Sequence, residues 1–464
     1  MNNELKGQGE YRGDFTRDTH DPLRNFSRVL MQQGRVLLDA DWNEQTSIVL
    51  HYLRNLAADL IGEHGGPEGH FEIVPITGQA NFSISEGHYY VSGILCQNKK
   101  LTDANDTLVD PTYFNQPDYP RDKERDKLPT DNPLLIYLDV WERHVTCFQD
   151  GDADNPNIRE VALGGPDTAS RAQVVWQVKV KQDLKTYTSS KKSYAQFLSE
   201  LENEQRPGQS RLRAQARKAE ADEDACASVT SPDSRYRRTE NQLYRVEIHS
   251  EAVRGPGEIP ATFKWSRENG SVVFPILKVS GSDVTLGSLG RDERYGLKKG
   301  DWVEVVDDDT TLSGKAGALL KVDDVDRETL VVKLLGAPGI SPEEPLKHHA
   351  LLRRWDQPGS NKTGLTNGAI LVSESNEDWI PLEDGVQIQF QPGGRYRVGD
   401  YWLIPARVDT GDLEWPGPVN HPEWLPAHGV QHYYAPLAII TYAPGVPADY
   451  KDCRRIIKPA APVT

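Results

Sequence analysis

The sequence contains no run of about eighteen consecutive apolar residues, so no segment is expected to cross a bilayer as a helix. Its opening stretch, MNNELKGQGEYRGDFTRD, lacks the apolar core of a secretory leader, which predicts synthesis in the cytoplasm without a signal peptide. Such a chain leaves a cell only inside something larger, or on lysis. Positive charge is also short: 53 Lys and Arg stand against 69 Asp and Glu, a net charge of −16. Phosphate contacts need a basic surface, so nucleic acid is not an expected partner, and anionic lipid is disfavoured for the same reason. Cysteine is scarce. Cys96, Cys147, Cys226 and Cys453 are far apart and form no CxxC or Cys/His ligand spacing, which predicts packed, reduced thiols in place of zinc.

The motifs of catalysis are missing as well. There is no GxSxG, no P-loop, no GxGxxG fingerprint and no HExxH. The one close histidine pair, His348-His349, would point to opposite faces of a strand and would not share a ligand easily. Paired carboxylates for glycoside cleavage carry no information among 69 acids. The expectation is a protein without enzymatic activity and without a cofactor.

What the chain has in quantity is turn and ring residues: 38 Gly, 31 Pro, and 18 Tyr with 10 Trp against 10 Phe. Many short strands joined by tight turns use residues this way. At 464 residues the chain exceeds one ordinary core. The fold class expected is mainly β, with an N-terminal amphipathic helix, a helical insert and several small β-domains of sandwich or SH3/OB-like barrel type. The partition read along the chain is an arm plus helix (1–66), a first β-domain (67–182), a charged helical insert (183–235), a small-barrel-like second β-domain (236–345), and a third β-domain with a C-terminal strap (346–464).

The strongest helix signal follows an extended stretch of about forty residues. Asp41 and Glu44 have capping-box spacing, and Gly62 is a suitable C-terminal stop. Trp42, Gln45, Val49, Tyr52, Leu53, Leu56 and Leu60 recur at steps of three and four and form one apolar face. Periodicity does not say whether that face packs on its own chain or on a partner.

Period two takes over from about Phe71. FSISEGHYYVSGILCQ reads as a hairpin turning at Glu86-Gly87. LLIYLDVWERHVTCF (134–148) and VVWQVKVKQ (174–182) read as buried strands. SYAQFLSELENEQ and RLRAQARKAEADEDA are charged and helix-prone. GDWVEVVDDDTTLSGKAGALLKVDDVDRETLVVKL (300–334) has the texture of a small barrel, with Asp307, Asp308 and Asp309 in a turn. Tryptophans 141, 176, 265, 302, 355, 379 and 402 lie on strands or at strand starts, where core or interface packing is the leading reading. DGDADNPN offers Asp150, Asp152 and Asp154 as calcium candidates. Asn155 and Val161, however, depart from the EF-hand loop at its sixth and twelfth positions, so an acidic turn is the better reading.

One segment is more specific. YRGDFTRDTHDPLRNFSRVLMQQGRVLLDADWNEQ (11–45) resembles the opening of an uncharacterised protein family encoded in gene clusters for extracellular contractile injection systems and related phage-tail-like particles. REVALGGPDTASRAQVVWQVKV (159–180), YRVEIHSEAVRGPGEIPATFKWSRENGSVV (244–273), GDYWLIPARV (399–408) and DCRRI (452–456) are similar too. SRVLMQQGRVLLDADWNEQTSI (27–48) and YVSGI (90–94) more loosely resemble attachment segments of phage baseplate and tail-fibre proteins. The resemblance implies a structural or adaptor component at or near the baseplate, oligomeric in the assembly, with other baseplate or tail proteins as partners. It implies no catalytic residue. Docking would fall to Arg35, Trp42, Val49, Tyr52, Leu53 and Leu56. The alternatives are a fibre-like receptor- or glycan-binding module and a loaded effector.

Overall fold

The computed structural model describes residues 10–458, except 18, 104, 120–125, 130–132, 151–157, 164–166, 183–193, 218–234, 254–258, 291–295, 341–347, 358–364 and 444–445. The chain is mainly β, with an N-terminal helix and several small sheets, as its composition implies.

The first unit is built on the strand Leu134–Val145, almost wholly buried along its length. It pairs with Arg171–Lys181 on one side and with Tyr433–Ala443 on the other, and Val446–Asp452 completes the antiparallel sheet. Phe71, from a turn, and Phe82, Tyr89 and Cys96, from short strands of the preceding segment, pack against Ile136, Leu138, Trp176 and Leu437. The helix Tyr194–Gln205 covers the other face through Phe197 and Leu198, against Leu135 and Tyr137. Both faces of the central strand are therefore covered, which is why it opens on the unbroken apolar run Leu134–Leu138 and why even its Asp139, Arg143 and His144 are buried.

The second unit is a sandwich. A six-stranded sheet containing Gln242–Ser250, Thr262–Ser266 and Tyr401–Arg407 faces a four-stranded sheet containing Arg211–Ala216 and Val386–Phe390. Tyr244, Phe263, Trp265, Phe390 and Trp402 fill the space between them. A closed six-stranded barrel spanning residues 273–355 is inserted between strands of the sandwich and has its own core of Phe274, Ile276, Val303, Val332 and Leu352. Asp307 caps a short helix, Asp308–Leu312, where a simple turn was expected. Asp308 there accepts from Arg143 at 2.6 Å and meets His349 Nδ1 at 2.6 Å, tying the barrel to the first sheet.

The sheets cut across the partition read along the chain. The last two strands belong to the first sheet, and the sandwich draws strands from both sides of the barrel. Two local expectations also change. RLRAQA (211–216) is a strand, because Leu212, Ala214 and Ala216 alternate into the core and tertiary pairing outweighs helix propensity. The hairpin turns at Ser92-Gly93, not at Glu86-Gly87: both residues have positive φ, as a two-residue hairpin loop requires, and Gly87–Val91 pairs with Ile94–Asn98. Phe82–Ile84 pairs instead with Ile73–Pro75.

Candidate docking surface

The helix, α1, spans Asp39–Ile61. At 1.5 Å per residue it is about 34 Å long. It begins two residues before the expected cap, so Asp41 sits inside the first turn and no side chain caps the N-terminus. The first-turn acids bind the arm instead. Asp39 accepts from the Thr16 amide at 2.9 Å and from its hydroxyl at 2.6 Å, and Glu44 accepts from the Thr19 hydroxyl at 2.6 Å. Partial burial would raise the Asp39 carboxyl, but the Thr16 hydrogen bonds hold it below its ordinary value. Gln45 Oε1 accepts from the Val29 amide at 2.9 Å, which accounts for the one polar residue in the helical repeat.

The seat of α1 on the body is small. Ala40 and Ile48 are its buried residues, and Arg54 donates to Glu142 at 2.6 Å. Gly93, at φ +76°, lets the hairpin turn abut the Arg54 carbonyl, a place where a Cβ would collide. Gly62 ends the helix at φ +94°, its amide returning to Ala58.

The apolar face looks the other way. At roughly 100° per residue, Trp42, Val49, Leu53, Leu56 and Leu60 fall within about 60° of arc, while Ala40, Glu44, His51 and Ala58 point to the opposite side. Trp42 is 70% exposed and Leu60 75%, and Val49, Leu50, Tyr52, Leu53 and Leu56 are exposed with them. Leu30, Met31, Val36, Leu37 and Leu38 of the preceding arm are exposed as well. Arg35 lies in the same exposed arm, one residue after Gly34, itself at φ +73°. Five of the six residues expected to dock (Trp42, Val49, Tyr52, Leu53 and Leu56) therefore share one outward face, and Arg35 sits on the arm that leads into it.

The family of unknown function DUF6519 matches residues 11–208 and 195–460. The chain belongs to that family. No curated protein and no solved structure matches it.

In this DUF6519 chain the arm is anchored by charges that sequence reasoning did not single out. Arg12 of the YRGDF segment enters the body and meets Glu247 through Nη2 at 3.0 Å and Glu10 at 2.5 Å. Glu247 also meets Arg245 Nε at 2.6 Å and Lys264 at 3.3 Å, and Lys264 continues to Glu304 at 2.7 Å. Burial alone would raise the Glu247 carboxyl, but Arg12, Arg245 and Lys264 hold it well below the usual carboxylate range. Arg245 and Asn269 donate to the Tyr11 carbonyl, so backbone as well as charge fixes the arm. The signal available in sequence was the alternation of charge in YRVEIHS and FKW, inside strands that otherwise read as core.

The remaining candidates separate clearly. Trp265, Trp355 and Trp402 are each about 1% exposed, and Trp141 and Trp176 are buried, so these rings serve the cores. Asp150 accepts from the Ile158 amide at 3.0 Å within its loop, while Asp152 and Asp154 lie outside the described residues. Among the described residues no group of three His, Cys, Asp or Glu side chains converges as a metal site. No helix among them is long and apolar enough to cross a membrane.

Proposed function

We propose that this protein is a structural or adaptor component of a contractile, phage-tail-like injection particle, at or near its baseplate, seated on a neighbouring particle protein through residues 11–62. The observation that carries the docking role is the outward apolar face of α1. A helix that rests on its own body through little more than Ala40, Ile48 and the Arg54–Glu142 pair and turns Trp42, Val49, Leu53, Leu56 and Leu60 to water leaves roughly 1.5–3 kcal/mol per large side chain unrealised until a partner covers it. The geometry suits a helix laid in a groove, read through anchors spaced three and four apart. Trp42 and Tyr52 belong to the ring types that dominate interface energetics. The particle itself is argued from the resemblance of residues 11–45 and the other quoted segments.

Mass spectrometry of purified particles carrying the tagged chain, with copies counted against the tube protein, tests the reading. A stoichiometric amount that is a low multiple of the particle's rotational symmetry is expected, as is loss of the chain from particles when Leu53 and Leu56 are both changed to Glu. Absence from intact particles, or a trace erratic amount, would overturn it in favour of an effector or assembly factor.

A further inference from the structure

A second surface, on the far side of the sandwich core, also carries side chains for which the fold has no evident use. In the four-stranded sheet, Leu212, Ala214, Val386, Ile388 and Phe390 turn inward, which puts Arg211, Arg213, Gln215, Gln387 and Gln389 on the other face; Gln389 is itself fully buried there and donates its Nε2 to the Asp378 carbonyl at 3.2 Å. Arg213 pairs in register with Gln389. The neighbouring registers, Leu212 with Leu425 and Ile380 with Ile388, put Trp424 and Trp379 one residue further along on the same rung. Trp379, Gln389, Arg213 and Trp424 therefore cross all four strands, a span of roughly 14 Å at about 4.8 Å between strands.

The Arg213 guanidinium lies 5.2 Å from the centroid of Trp379 and 4.4 Å from that of Trp424. Its Nε donates to Gln389 Oε1 at 2.6 Å, and Nη2 reaches the Asn376 carbonyl at 3.4 Å. Desolvation by the flanking groups lowers its pKa. No carboxylate pairs with Arg213 among the described residues, whereas Arg12, Arg54, Arg143, Arg245, Arg267 and Arg454 all engage one. Arg211, exposed two residues away, has no side-chain partner among the described residues either. On the next rung Gln215 Nε2 donates to Gln387 Oε1 at 3.2 Å, leaving further amide edges toward solvent. Two arginines with no carboxylate partner among the described residues, in a chain of net charge −16, leave room for an anion from outside.

We propose that this rung binds a carboxylated saccharide. Pyranose rings present apolar C–H faces that stack on indoles, and hydroxyl pairs that match the donor and acceptor edges of side-chain amides. A sugar carboxylate fits the planar guanidinium fork. A protein interface would place apolar side chains between its aromatic anchors, and here the accessible side chain between Trp379 and Trp424 is Arg213. A densely charged strand such as nucleic acid would meet the exposed Glu374, Glu377, Asp378 and Glu423 in the loops beside the two tryptophans. Sparse negative charge, about one carboxylate per few rings, avoids them.

The test is titration of the full chain, followed by tryptophan fluorescence and calorimetry, with hexasaccharides of hyaluronan and of polygalacturonate and with a sialylated oligosaccharide. Neutral chitohexaose and a single-stranded oligonucleotide are the comparisons. Saturable binding of at least one acidic saccharide is expected, weakened at least tenfold by W424A and by R213Q and not restored by R213K. Arg211→Gln, at an exposed position where folding is not at stake, is expected to weaken it several-fold. Absence of saturable binding to all three acidic probes, equal binding of chitohexaose, tighter binding of the oligonucleotide, or indifference to all four variants would each overturn the proposal. Loss of particle incorporation by these variants without saccharide binding would make the rung a protein contact instead. Retained incorporation keeps the docking reading separate from this one.

Discussion

Arg12 and Glu247 stand 235 residues apart in sequence and meet through two guanidinium nitrogens, Nε at 3.2 Å and Nη2 at 3.0 Å, deep in the body. This pair decides where the N-terminal arm begins its path across the surface, because Tyr11 and Gly13 are held by the same cluster through their carbonyls. Everything the arm does further along, including the tethers of Thr16 and Thr19 to α1, starts from that anchor.

Removing the anchor should therefore be costly. Arg12→Ala leaves Glu247 buried with part of its charge uncompensated, and a loss of about 3 kcal/mol is expected. Denaturant melts would show an earlier midpoint. Hydrogen exchange would show faster exchange of the amides of Thr16 and Val29, which depend on the arm's position.

The outward face predicts the opposite behaviour. Leu53→Glu with Leu56→Glu should leave the unfolding midpoint within about 0.5 kcal/mol of the parent, since neither side chain is buried. Binding of a hydrophobic dye should fall. A large destabilisation would show that the face is covered by the chain itself.

Gly93 should tolerate no side chain. Its φ of +76° disfavours an L-residue, and an added Cβ would meet the Arg54 carbonyl of α1. Gly93→Ala is expected to cost about 2 kcal/mol or more. Limited proteolysis within Asp39–Ile61 would speed up as the helix lifts from the hairpin.

Asp400 supplies a pH dependence. Burial pushes its carboxyl up to about 7, and its Oδ2 has no partner among the described residues. The folded state thus holds a proton that the unfolded chain, with an ordinary value near about 3.9, releases earlier. That contribution to stability is complete below about pH 4 and is lost as the pH rises through about 7. Asp400→Asn should match the parent at pH 4 and exceed it by up to about 4 kcal/mol at pH 8. Melts across that range, with no divergence between the two proteins, would refute it.

The helix, its stop at Gly62 and the strongest strands were legible because each is a local pattern with one dominant cause. Leu134–Val145 opens on the apolar run Leu134–Leu138 and is buried almost throughout because both its faces are covered, and a run of that kind survives any choice of partner. The helix prediction for 211–216 failed because Arg, Leu, Ala and Gln prefer helices in isolation. Only the presence of Val386–Phe390 alongside makes the alternation of Leu212 and Ala214 count. The direction of the apolar face was illegible for a related reason: a helical repeat shows that a stripe exists and says nothing about which side the body occupies. The Trp379–Arg213–Trp424 rung was hidden more completely, since its members come from three separated stretches that register alone aligns.

The pairing of Leu134–Val145 with Tyr433–Ala443 sets the timing of folding during synthesis. The central strand emerges from the ribosome about 290 residues before its neighbour, and until then one hydrogen-bonding edge and a row of large apolar side chains lack their partner. The inserted barrel closes on its own nearest strands and can form early, but the sheet built on Leu134–Val145 cannot. A translating cell must hold that edge apart from its copies on the same polysome, so overproduction is constrained by the supply of chaperones before native stability becomes limiting.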